Sequence, residues 1–288
     1  MSDAPFFPGF RAIDVAVDGI NIHAVTGGAG PPLLLLHGAP QSHIMWRHVA
    51  PGLARRFTVV AADLRGYGQS GKPAEGDYSK RRMAADQVGL MHALGHDKFR
   101  LAGHDRGARV SRRLAKDHPG VVERLAILDI VPTAHIYAHV DKKVATQLWH
   151  WFFFIQRAPG PELLMGPNAA QFAAFSARPG GDEAAGRAYA RTNGTPEAFH
   201  AMCEDYRAGA GVDLEHDAAD AARPIACPTL VLWGKTSPST ATLFDVAAAW
   251  RPEARDVRFG EIDCGQFLPE EKPAETLEAL LGFMEAGR

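Results

Sequence analysis

The sequence predicts an α/β protein built on a mostly parallel sheet. Short apolar runs alternate with helix-period stretches over the first 130 residues. The alternation stops near residue 131 and resumes near 228, so one sheet domain carries an insertion. The chain has 288 residues, 46% hydrophobic and 22% charged, which is enough apolar material for a full core.

Two short strands are expected at 11–17 and 20–26, joined by the hairpin signal Asp18-Gly19. PPLLLLHG (31–38) is a compact apolar run ending in glycine, as a buried parallel strand should be. A helix is expected at 44–56 and a strand at 57–66. Residues 79–95 place Met83, Val88, Met91 and Leu94 on one helical side and end on Gly95. A strand at 98–105, a helix at 106–120 and a strand at 122–130 follow. After the break come a strand at 228–234, a helix at 240–250, a strand at 254–263 and a helix at 269–287. The expected division is a core of 1–130 and 223–288, with 131–222 as a helical cap.

Charge and cysteine content exclude several functions. Lys+Arg 31 against Asp+Glu 33 lacks the basic excess of a nucleic-acid binder. Cys203, Cys227 and Cys264 have no paired spacing for a metal cluster or disulfide framework. His135 and His139 stand four apart, but no third ligand has suitable spacing, so no metal site is expected. The start MSDAPFFPGFR has no basic region followed by an apolar run, and no apolar stretch approaches the ~20 residues of a membrane span. A soluble cytoplasmic protein without a membrane or nucleic-acid partner is expected.

Gly103-His104-Asp105-Arg106-Gly107 lies between an apolar strand and a helix. Glycines two residues to either side of a central residue are what a strained strand-to-helix turn with an exposed nucleophile requires. Asp105 in the centre either caps the helix or attacks a saturated carbon to form an ester. The strand–turn–helix setting favours the nucleophile. No serine competes, because Gly68-Gln69-Ser70-Gly71 has Lys72 in the final glycine slot. Arg106 and Arg109, three apart on the first helical turn, can face one site and grip a carboxylate. Arg112 and Arg113 are read as solvated.

The stretches FFPGF (6–10), HGAPQ (37–41), DLRGYGQS (63–70), GHDRGAR (103–109), LDIVPT (128–133), HWFF (150–153), CEDYRAGA (203–210) and FLPEE (267–271) resemble the fluoroacetate (haloacetate) dehalogenases of the α/β-hydrolase superfamily. The resemblance runs nearly end to end. It implies an eight-stranded sheet with helices on both faces, a helical cap, a homodimer, no cofactor and a small anionic haloacid substrate. It implies that Asp105 is the nucleophile and that Arg106 and Arg109 bind the substrate carboxylate. His150, Trp151 and Tyr206 would bind the leaving halide through N–H and O–H donors. Trp149, Phe152, Phe153 and Phe154 are expected to be core. Asp129 would orient the catalytic base. The backbone at Ala39 and Arg106 would form an oxyanion site.

At the base itself the chain departs from the pattern. The family reads roughly D-x-G-H-F, whereas this sequence reads Asp263-Cys264-Gly265-Gln266-Phe267. An amide does not titrate near neutral pH, so Gln266 cannot take a proton from water as imidazole does. Halide displacement by Asp105 needs no base; hydrolysis of the resulting ester does. The expectation is a haloacetate dehalogenase whose second step is slow or stops after one turnover. Two alternatives stand beside it. An epoxide hydrolase shares the Asp nucleophile but needs two cap tyrosines, for which Tyr137, Tyr189 and Tyr206 are available. A catalytically inactive carboxylate-binding homologue would also explain Gln266.

Overall fold

The computed structural model describes residues 6–176 and 182–286. The first five residues and the end of the helix expected at 269–287 lie outside them. Eight strands form one sheet in the order β1-β2-β4-β3-β5-β6-β7-β8. They are β1 (Arg11–Val17), β2 (Ile20–Gly27), β3 (Pro32–Leu36), β4 (Thr58–Ala62), β5 (Phe99–His104), β6 (Val122–Leu128), β7 (Thr229–Gly234) and β8 (Val257–Ile262). The hairpin β1–β2 and the pair β2–β4 are antiparallel, and every later pairing is parallel. Leu33–Leu36, Val59–Ala62, Leu101, Ala102 and Leu125–Leu128 are fully buried, because helices cover both faces of a parallel sheet.

The chain runs from β3 outward to β4 and then returns to the other side of β3 for β5. Such a reversal opens a crevice at the carboxyl ends of the strands. Register aligns those ends: Leu36 pairs with Gly103, His104 with Leu128, and Gly234 with Ile262. The segments following β3, β5, β6, β7 and β8 therefore converge on one rim.

Before the insertion come α1 (Ala50–Leu53), α2 (Lys80–Ala93) and α3 (Arg106–Asp117). The helix expected at 44–56 is instead a 3-10 turn at His43–Trp46 followed by α1, whose second residue is Pro51. Among the described residues every element between β6 and β7 is helical. These are α4 (Thr133–Ala138), α5 (Lys142–Gln147), α6 (Trp149–Phe154), α7 (Gly160–Met165), a 3-10 turn at Gly166–Asn168, α8 (Ala169–Ser176), α9 (Glu183–Asn193), α10 (Pro196–Ala210) and α11 (Val212–Ala219). The core closes with α12 (Val246–Trp250), α13 (Leu268–Glu271) and α14 (Pro273–Met284). Pro269 and Pro273 divide the expected final helix in two, since proline starts a helix well and continues one poorly.

Two expectations about burial need correction. Arg112 and Arg113 are not solvated but buried, with Asp217 and Glu253 around the first and Asp117 and Asp220 around the second. These pairs pin α3 to α11 and to the chain beyond α12. The aromatic run of α6 is not uniformly core either. Phe154 is buried, Phe152 and Phe153 are half-buried, and Trp149 is 47% exposed. A helix this short turns residues three and four apart to one side, so consecutive aromatics cannot all face inward.

Candidate active site

Asp105 sits at the turn between β5 and α3 with φ 47°, a left-handed conformation that is strained for a residue with a side chain. The flanking glycines make the turn possible. A Cβ at Gly103 would lie 2.4 Å from Ser111 Oγ, and one at Gly107 would lie 2.5 Å from the His37 carbonyl. The Asp105 amide donates to the Leu128 carbonyl at 3.2 Å, tying the turn to β6. Although Asp105 occupies the capping position of α3, its side chain makes no cap hydrogen bond. The carboxylate is turned away from the helix. Its Oδ2 accepts from the Gln266 amide at 3.2 Å, and its buried Oδ1 has no partner.

The structure thus brings Gln266 against Asp105. Its own carbonyl lies 2.9 Å from His104 Nε2. Glu271 fixes the loop from both sides, accepting from the amides of Gly265 at 2.7 Å and Phe267 at 2.9 Å. Sequence reasoning missed this loop anchor, although it is the second glutamate of the quoted FLPEE stretch.

Asp129 closes β6, also with positive φ (53°). Its Oδ1 accepts from the Gly234 amide and from Thr240, both at 3.0 Å, and its Oδ2 from Ser237 at 2.7 Å. Burial pushes this carboxyl up to about 7; the hydrogen bonds from Ser237, Gly234 and Thr240 pull it back, and the nearby Asp105 raises it further. Ser237 lies just before the helix expected at 240–250, and Thr240 is its first residue. That stretch stays irregular, and α12 starts only at Val246, capped by Asp245.

The two arginines separate. Arg106 is buried and turned onto Asp205 of α10, with Nε to Oδ2 at 2.7 Å and Nη2 to Oδ1 at 2.8 Å. Lys80 and Tyr67 bind the same carboxylate. Arg109 has no acidic partner within ion-pair distance among the described residues. Its Nη1 donates to the Val131 carbonyl at 3.0 Å and to Thr133 at 2.9 Å, and its buried Nε has no partner. Its guanidinium lies 4.6 Å from the centre of the Trp151 ring. Burial, followed by repulsion from Arg106, pushes it down to about 10, so it remains a cation at neutral pH. The pair expected to grip one carboxylate thus divides into an arginine braced by a direct ion pair and one that feels only the more distant charge of Asp105. Asp205 was not singled out from sequence, although it precedes Tyr206 in the quoted CEDYRAGA stretch.

The donors expected for a leaving halide are brought together. His150 and Trp151 each pack edge-on to Tyr206, with ring centres 5.9 and 5.6 Å apart. Desolvation pushes His150 down to about 4, so the ring is neutral at pH 7 and carries one N–H. Two cavities meet at Asp105, His150 and Gln266. The smaller, of about 30 Å³, also touches Arg109, Asp129, Trp151, Ser239 and Thr240. The larger, of about 430 Å³, also touches Ala39, Tyr206 and a mostly apolar wall. The Arg106 amide stands at the first position of α3, among those a helix leaves without an intrahelical acceptor. Of the three tyrosines available to the epoxide reading, only Tyr206 lines these cavities. Tyr189 donates to Glu270 at 2.9 Å, and Tyr137 packs on Trp151.

His135 and His139 stack at 4.1 Å and do not form a three-ligand group with any other described residue. No helix among the described residues is long and apolar enough to cross a membrane.

Comparison with known proteins agrees with this architecture. Residues 31–273 match the alpha/beta hydrolase fold family. A fluoroacetate dehalogenase of Burkholderia sp is 41% identical over 293 residues, covering 98% of this chain and 96% of that protein. A soluble epoxide hydrolase of Corynebacterium sp. (strain C12) is 35% identical, covering 93% of this chain and 94% of that protein. A crystal structure of a protein from Nostoc sp PCC 7120 superposes with a TM-score of 0.91 at 46% identity, covering 96% of this chain and 98% of that one. With a rim built from the carboxyl ends of its parallel strands and an elbow that presents a side chain to it, the chain belongs to the alpha/beta hydrolase family.

Proposed function

We propose that the protein dehalogenates small anionic haloacids of the haloacetate type through an ester on Asp105, and that Gln266 makes ester hydrolysis slow. One observation carries this reading. A buried cation without an acidic partner, Arg109, and a carboxylate with a partnerless oxygen, Asp105, line the same small cavity. An uncompensated buried charge is costly, and an anionic substrate would offset that cost on binding.

In the first half-reaction an Asp105 oxygen attacks the α-carbon. The new C–O bond forms as the carbon–halogen bond breaks, and the halogen leaves with the bonding pair. N–H and O–H donors of His150, Trp151 and Tyr206 stabilise the developing halide. In the second half-reaction water attacks the ester carbonyl. The bond between that carbonyl carbon and the Asp105 oxygen that made the attack breaks, and that oxygen departs as the hydroxyl of the product. The hydroxy acid leaves, and Asp105 regains its carboxylate with one oxygen from water. This step needs a proton acceptor on the water, and the amide of Gln266 is not one.

Intact-protein mass spectrometry after incubation with fluoroacetate tests the reading. A carboxymethyl ester adds ~58 Da, and Asp105→Ala removes that adduct. No adduct together with no released fluoride would sink the dehalogenase reading and leave the carboxylate-binding homologue and the epoxide hydrolase. The epoxide alternative draws on one observation: Arg106 is held by Asp205, so the anion site has a single uncompensated arginine. It predicts an Asp105 adduct with an epoxide and none with a haloacid.

A further inference from the structure

We infer that the preferred substrate is a 2-halo acid carrying an apolar chain on its α-carbon, rather than a two-carbon acid. This rests on the proposed ester chemistry at Asp105. The small cavity already holds everything a haloacetate needs: the attacking carboxylate, the Arg109 cation and donors for the halide. The larger cavity opens from the same three residues, and at about 430 Å³ falls within the range of pockets that enclose drug-sized ligands. Its walls away from the reacting atoms are mostly apolar, with Phe154, Phe172, Met202, Pro238 and Phe267 among them and Gln147 as a polar exception. A two-carbon acid would leave this space full of water beside the leaving halide, where a dry environment strengthens the donors. An α-alkyl chain would displace that water. Each buried methylene is worth about fourfold in affinity.

The experiment compares bromoacetate with 2-bromohexanoate as labels of Asp105 in the full chain, followed by intact mass. The second adds ~114 Da on ester formation. In free solution the branched carbon is displaced more slowly than the primary one, and the ratio of the two rates toward a simple carboxylate sets the reference. The protein is expected to shift that ratio at least ~10-fold toward 2-bromohexanoate, as burial of two or more methylenes implies. Met202→Trp and, independently, Phe172→Trp narrow the large cavity and are expected to move the ratio back toward the solution value. A ratio equal to or below the solution value overturns the inference while leaving the dehalogenase reading intact. A ratio that neither tryptophan variant changes also overturns it. Failure of both acids to label Asp105 overturns both readings.

Discussion

Asp105 and Asp129 close neighbouring parallel strands, share a left-handed backbone, and line one cavity, yet their surroundings are opposites. Asp105 has one amide contact, from Gln266, and an oxygen with no partner. Asp129 is saturated by a backbone amide and three hydroxyls, the most distant being Ser239 at 3.4 Å. A nucleophile must keep a lone pair free and aimed at the reacting carbon, because every donor on it has to be removed before attack. An orienting carboxylate has the reverse requirement, since its value lies in being immobile. On the proposed mechanism Asp129 would hold an imidazole; among the described residues none bonds it, and its hydrogen bonds close on the Gly234 amide and the hydroxyls of the 237–240 segment.

The largest effect should come from restoring the missing partner. Gln266→His is expected to raise steady-state halide release by ~10²–10⁴-fold, the usual range for general-base help. The gain should require Asp129: in the double variant Gln266→His with Asp129→Asn, most of it should vanish. Burst and steady-state phases of halide release separate the steps, since neither change should slow the burst much. A full gain that survives loss of Asp129 would dissolve the contrast between the two carboxylates.

Much of this site was legible in the sequence, and the reasons differ by residue. The elbow was readable because glycines at 103 and 107 are dictated by backbone contacts that tolerate no Cβ. Gln266 was readable because the following FLPEE stretch fixes its position. The sheet was readable from apolar runs that only a two-sided burial explains. Long-range ion pairing was not readable. Nothing local to Arg106 or Arg109 says which one meets an acid from a helix about a hundred residues away, and Asp205 decides it. The helix expected at 240–250 forms only from Val246 for a similar reason, because the hydroxyl of Thr240 serves a carboxylate on another strand.

The next effect tests the charge that makes the Asp105 side of the comparison attractive to an anion. Arg109→Gln removes a charge-assisted contact worth about 1.5–3 kcal/mol, so second-order labelling of Asp105 by a haloacid should fall ~10–150-fold. Folding stability should change little or improve, since Arg109 is a buried cation with no direct ion pair, attracted only at longer range by Asp105. Arg106→Gln should behave oppositely. Asp205 would lose one of its two cationic partners and keep Lys80, and breaking a buried pair costs about 3–5 kcal/mol of stability. Labelling rates and urea midpoints on both variants check the pair. Equal labelling losses with equal stability losses would return the two arginines to a joint clamp.

The smallest effect concerns Asp129 alone, in the chain with Gln266 in place. Its folded pKa, raised to about 7, lies above its ordinary value of 3.8. Between those values the folded state holds a proton that the unfolded chain has lost. Stability from this group is therefore complete below about pH 4 and declines as pH rises to about 7, by at most ~1.4 kcal/mol per unit. His150, pushed down to about 4, works the other way, because its neutral folded form becomes more favourable as pH rises toward its ordinary 6.5. The two slopes overlap, so a single pH curve would hide both. The difference between parent and Asp129→Asn isolates the carboxyl. Asparagine keeps an oxygen for the Gly234 amide, and its NH2 can donate to Ser237 once that hydroxyl turns to accept. The variant should gain stability relative to the parent between pH 4 and 7, by a few kcal/mol at most, and hold that gain to pH 8. Parallel urea midpoints across that range would mean that Asp129 is ionised throughout. The hydroxyls would then fully replace water as its solvation, and the contrast with Asp105 would rest on hydrogen bonding alone.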